Sequence, residues 1–88
     1  MTNPLARIFR AIVSPEFTVT IKDGVARSHQ GRVTSRVLSE FTEIAKQQSI
    51  SKARIYGIRR GDDIVLKFSH NISSSDQQRF RNVWGFSK

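Results

Sequence analysis

Apolar residues recur along this chain in two rhythms, and the changes of rhythm mark its elements. In residues 5–13, Leu5, Ile8, Phe9 and Ile12 fall at i, i+3, i+4 and i+7, one stripe of a short amphipathic helix, with Arg7 and Arg10 off the stripe. Pro4 suits the first turn of that helix and Pro15 ends it. So short a helix is marginal alone and needs a surface to lie on. From Phe17 the period becomes two: Phe17, Val19 and Ile21 point one way, and Thr18, Thr20 and Lys22 the other. Asp23-Gly24 follows, the sequence of a type I′ hairpin turn. A two-residue turn there sets Lys22 opposite Val25, Ile21 opposite Ala26, Thr20 opposite Arg27 and Thr18 opposite His29. The return strand is weakly apolar, which suits a sheet edge.

Gly31 breaks that strand. Val37, Leu38, Phe41, Ile44 and Ala45 then form a helical stripe, predicting a helix over residues 34–48 with Thr34 or Ser35 as its cap. A second hairpin follows around Arg60-Gly61. Pairing Arg59 with Asp62 puts Gly57 opposite Ile64, Ile55 opposite Leu66 and Ala53 opposite Phe68, which gathers one apolar set on one face. A second helix starts with Ser73 as N-cap and Asp76 three residues on, and Gly85 is a natural residue to end it. On its wheel Phe80, Val83 and Trp84 share a face, while Arg79 and Arg81 flank it. One aspartate stands there against two arginines, so this helix reads as a lid on the core and not as a basic reading head.

The predicted fold is α+β: a short N-terminal helix, then ββαββα, forming one four-stranded sheet with two helices on one face. Residues 1–15 are an amphipathic arm and residues 16–88 a single domain. If strands two and three run parallel, the helix between them makes a right-handed crossover. The two ββα halves echo each other in layout with almost no identity, so they are not a repeat array.

Length and charge narrow the function. A chain of 88 residues is one domain at most and buries roughly 60–65% of its unfolded surface. There is no cysteine, and His29 and His70 lack the spacing and partners of a zinc site, so neither metal nor cofactor is expected. No apolar run reaches the roughly 18–20 residues that span a bilayer, and Arg7 and Arg10 interrupt any signal-peptide core. A cytoplasmic protein is expected. The net charge of +8 suits nucleic acid or an anionic membrane, and it also suits plain solubility.

Nothing in the chain reads as catalytic. It has no Gly-rich phosphate loop, no G-x-S-x-G and no cysteine nucleophile. Asp62-Asp63 sits in a turn beside Arg59 and Arg60, and Ser73–Ser75 starts a helix. The reading is therefore non-enzymatic, with no small-molecule substrate.

Three stretches resemble a known group: FTVTIKDG (Phe17–Gly24), ARIYGIRRGDDIVLKFS (Ala53–Ser69) and DQQRFRNVWGF (Asp76–Phe86). They look like a family of short bacterial proteins catalogued as a domain of unknown function. That family shares an F-x-V-x-hydrophobic strand closing on Gly (Phe17, Val19, Gly24), an L-x-F-S strand (Leu66, Phe68, Ser69) and a final helix running from Gln77 to Val83. Members typically begin with a hydrophobic membrane segment; residues 5–13 differ in being shorter and carrying two arginines. The resemblance implies a fold class and a bacterial origin, and it implies no activity.

A binding role falls on the sheet face away from the helices. There Lys22, Arg27, Arg54 and Lys67 offer phosphate attraction and Tyr56 a stacking platform, the expected nucleic-acid contacts. The bland alternative is the wet face of a sheet. A rival is an interaction module: Tyr56, Ile58 and Val65 make an apolar patch, and Leu5, Ile8, Phe9 and Ile12 could pack on the sheet of the same chain or of a homodimer partner. Peripheral membrane contact through that helix, with Arg7 and Arg10 at the headgroups, is a third reading.

Overall fold

Alternation in Phe17–Lys22 and Val25–Gln30 gives β1 and β2, and alternation in Lys52–Arg60 and Asp63–Phe68 gives β3 and β4. The helical stripes give α1 (Ser35–Gln47) and α2 (Ser74–Ser87). The computed structural model describes residues 15–87, so the helix expected over residues 5–13 lies outside the described residues. The four strands form one antiparallel sheet in the order β2-β1-β3-β4. As β2 and β3 both run antiparallel to β1, they are parallel to each other with β1 between them, and α1 carries the chain across. The fold is α+β with both helices on one face of the sheet, as the patterning predicts. Among the described residues no helix is long and apolar enough to cross a membrane.

The first turn is type I′, with Asp23 at φ 53° and Gly24 at φ 77°. The predicted pairs hold from Lys22–Val25 to Thr20–Arg27. Thr18 then pairs with Gln30 instead of His29, because a bulge inserts one residue in β2. Bulges favour sheet edges, and β2 is an edge. Gly31, at φ 75°, follows the bulge against the Glu16 carbonyl and Phe17, where a Cβ has no room.

The second hairpin departs from the expected register by two residues. Arg60 pairs with Asp63, Gly57 with Leu66 and Ile55 with Phe68, so the turn residues are Gly61 and Asp62. Gly61 is the residue at positive φ, 60°, which is the first position of a type II′ turn; the expected turn would have forced Arg60 there. A two-residue slip keeps every side chain on its face, so the core prediction survives while the cross-strand neighbours change.

Phe17, Val19, Ile21, Ile55, Phe41 and Phe80 are fully or almost fully buried and form the centre of the core. Burial of such side chains contributes about 1.5–3 kcal/mol each. Phe80 of α2 meets Phe41 of α1 edge to face at 5.1 Å and Phe68 of β4 at 5.9 Å. Trp84 lies 5.0 Å from Phe17 and donates Nε1–H to the Ile64 carbonyl at 3.2 Å. These anchors hold the last turns of α2, and the helix continues through Gly85 instead of ending there. The Arg81 guanidinium lies over the Phe68 ring at 5.1 Å, the flanking position expected of a lid helix. Ile50 and Ile72, isolated apolar residues in polar loops, complete the core.

Caps close both helices. The Thr34 hydroxyl accepts from Val37 N at 3.3 Å and the Ser73 hydroxyl from Asp76 N at 3.2 Å. α1 ends in a Schellman motif: Ile50 N donates to the Ala45 carbonyl at 2.8 Å and Ser49 N to the Lys46 carbonyl at 3.4 Å. Ser49 occupies the left-handed position, at φ 57°. Gly57 is different in kind. Its φ is ordinary, but the Phe17 ring lies directly where a Cβ would stand.

Two substitutions test these backbone arguments by urea denaturation. Gly57→Ala should lower stability by about 1–3 kcal/mol through overpacking against Phe17. Ser49→Gly should raise it by roughly 1 kcal/mol by relieving the left-handed conformation. An unchanged Gly57→Ala midpoint would contradict the packing described.

Candidate nucleic-acid interface

The alternation that buries Phe17, Val19 and Ile21 sends Thr18, Thr20 and Lys22 to the opposite side. Pairing then aligns the outward residues into rows across the sheet. At the end near the first turn, Val25, Lys22 and Lys52 form one row, and Arg27, Thr20 and Arg54 the next. Gln30, Thr18, Tyr56 and Lys67 follow, then Ile58 beside Val65, and last Arg60 beside Asp63. Rows stand about 6.7 Å apart and neighbouring strands about 4.8 Å apart. The face is therefore graded: cationic at one end, aromatic in the middle, then apolar, then charge-balanced.

All five residues predicted for this face, Lys22, Arg27, Arg54, Tyr56 and Lys67, lie on it in adjoining rows. The corrected register changes who stands beside whom. Lys67 lies opposite Tyr56 and not Arg54, and Ile58 lies opposite Val65. Lys22, Arg27, Arg54 and Lys67 are exposed, while Tyr56 is half-buried. One member was missed. Lys52 joins the cluster only through the β1–β3 pairing, which puts it directly opposite Lys22. No local pattern could reveal that pair, since it depends on strand order.

The Lys22–Lys52 juxtaposition is unfavourable by itself, because like charges directly opposite on one face repel. Among the described residues the ion pairs lie elsewhere, Arg59–Glu16 at 2.8 Å and Arg79–Asp76 at 3.5 Å. None of Lys22, Arg27, Lys52, Arg54 and Lys67 has a carboxylate partner among those residues.

A polar clasp shapes the cationic end. β4 stops opposite Ile55, so the first residues of β3 have no strand on that side. Ser69 takes the place of the missing strand: its hydroxyl accepts from Arg54 N at 3.0 Å, and its own N donates to the Arg54 carbonyl at 3.0 Å. The Ser69 hydroxyl also donates to Asn71 Oδ1 at 2.7 Å, and Asn71 Nδ2 donates to the Lys52 carbonyl at 2.6 Å. The gap leaves a depression of about 560 Å³ lined by Thr20, Lys22, Lys52, Arg54, Ser69 and Asn71. A second, of about 500 Å³, shares Thr20 and Lys22 and extends to Asp23, Val25, Arg27 and His29. Both open to solvent, which suits an extended ligand better than an enclosed small molecule. Among the described residues no three His, Cys, Asp or Glu side chains gather as metal ligands.

The chain belongs to the family described as protein of unknown function (DUF3634), whose model matches residues 4–88. No curated protein and no solved structure matches it. The membership agrees with the resemblance drawn from the three stretches above.

The repulsion in the first row makes a prediction about stability. Lys52→Glu sets a carboxylate opposite Lys22 and should raise the thermal midpoint by a few degrees. A lower midpoint would show that Lys22 and Lys52 do not repel across the row.

Proposed function

We propose that the protein is a cytoplasmic, non-enzymatic module that binds nucleic acid on the open face of its sheet. One observation carries this reading. Five cations without carboxylate partners among the described residues stand in adjoining rows beside Tyr56, and an anionic polymer would relieve their mutual repulsion. A face that merely needed solvation would gain stability from interspersed acids, as the Arg60–Asp63 row has. Phosphodiesters supply negative charge at regular spacing, and bases supply a flat surface for the tyrosine.

A second reading has an observation of its own. The half-buried Ile58 and Val65, side by side, offer an apolar row for a homodimer through the sheet face. Sedimentation that returns a monomer at high micromolar concentration rejects it.

Fluorescence polarisation with short labelled RNA and DNA tests the main reading. With five phosphate contacts, affinity should fall about 100-fold between roughly 50 and 200 mM salt. Replacing Lys22, Arg27, Lys52 and Arg54 together by Gln should abolish binding at the lower salt while the fold is kept. Absence of binding by the natural sequence, or full binding by the fourfold variant, would refute the proposal.

A further inference from the structure

We infer that the nucleic acid taken on this face is single-stranded, with its backbone on the Lys22–Lys52 end and an unpaired base on Tyr56. The inference rests on the nucleic-acid reading above and adds the form of the ligand.

Its first support is the order of the rows. Tyr56, Arg54 and Lys52 are alternate residues of β3, so their positions span about 13 Å at roughly 3.3 Å per residue. That is about the length of four stacked nucleotides at roughly 3.4 Å each. One strand can therefore lay phosphates along Lys52, Lys22 and Arg54 and still reach the tyrosine. Base pairing would keep the base in its stack and deny Tyr56 a free face.

The second support is what the face lacks for a duplex. Reading a major groove takes a protruding helix or a two-stranded ribbon. Both helices among the described residues pack on the opposite side of this sheet. The two hairpin tips are the ribbons at hand, and both carry acids: Asp23 in one, Asp62 and Asp63 in the other. Either tip would bring carboxylates against phosphates. The cations lie on the flat of the sheet, and the ring lies one row beyond Arg54, an arrangement for a strand lying across it.

The polarity of the face gives the third support. Net positive charge is confined to the rows from Lys22 to Lys67; the surface turns apolar at Ile58 and Val65 and charge-balanced at Arg60 and Asp63. The cationic part is about three rows deep, enough for a short single strand; a duplex with phosphates on both sides would extend onto the apolar and charge-balanced rows.

The test compares a labelled single strand of about ten nucleotides, within the usual site size, with its duplex and with an abasic strand of equal length. The natural protein should bind the single strand at least about tenfold more tightly than the duplex. Tyr56→Ala should weaken single-strand binding roughly 5- to 100-fold, the equivalent of one stacked base. Tyr56→Phe, which keeps the ring and the packing, should bind like the natural protein. The abasic strand should bind weakly and be indifferent to Tyr56→Ala. Equal or tighter binding of the duplex, or single-strand affinity indifferent to Tyr56→Ala, would overturn this inference and leave the nucleic-acid reading standing. Failure to bind either form at about 50 mM salt would overturn both.

Discussion

The Phe17 ring lies on the bare backbone of Gly57, and much of the architecture follows from that contact. It joins the start of β1 to the middle of β3, two strands that are neighbours in the sheet but far apart in the chain. Glu16 N donates to the Gly57 carbonyl at 2.6 Å on the same pair of strands. With the ring seated over Gly57, Trp84 packs on it, and Phe80 of α2 meets Phe41 of α1. Both helices are thereby drawn to one side. The other side is left with the residues that alternation sent there, and its cations gather in the three rows from Lys22 to Lys67.

The helices also protect the sheet margins. On β2, Ala26 N donates to the Thr42 hydroxyl of α1 at 3.0 Å. On β4, the Ile64 carbonyl accepts from Trp84 of α2, and Ile64 N donates to Asp63 Oδ1 at 2.9 Å. Occupying backbone groups on each edge discourages pairing with other strands. The proposed binding role accordingly rests on the side chains of the sheet face and not on strand addition at an edge.

The elements and the core were legible because they depend on local period. Phe17, Val19 and Ile21 announce one buried face by alternation, and Phe41, Ile44 and Ala45 announce another by helical spacing. Turn chemistry was legible where one reading satisfied it, as at Asp23-Gly24. At Arg60-Gly61-Asp62 two turns compete, and the sequence period alone cannot separate registers two residues apart. The cost of positive φ decides between them, and it falls to glycine. Lys52 was hidden for a different reason: its partner Lys22 lies across a pairing fixed by the Phe17–Gly57 contact. The cationic site was thus readable as a list of residues on a face, while its arrangement into rows needed the fold.

NMR distinguishes binding on the sheet face opposite α1 and α2 from binding on the helices. Backbone amide shifts can be followed by NMR while a short single-stranded oligonucleotide is titrated into the labelled protein. The largest changes should fall on Thr20, Lys22, Arg54, Tyr56 and Lys67, with α1 and α2 nearly silent. Largest changes on α1 or α2, or none anywhere at low salt, would contradict binding on the sheet face.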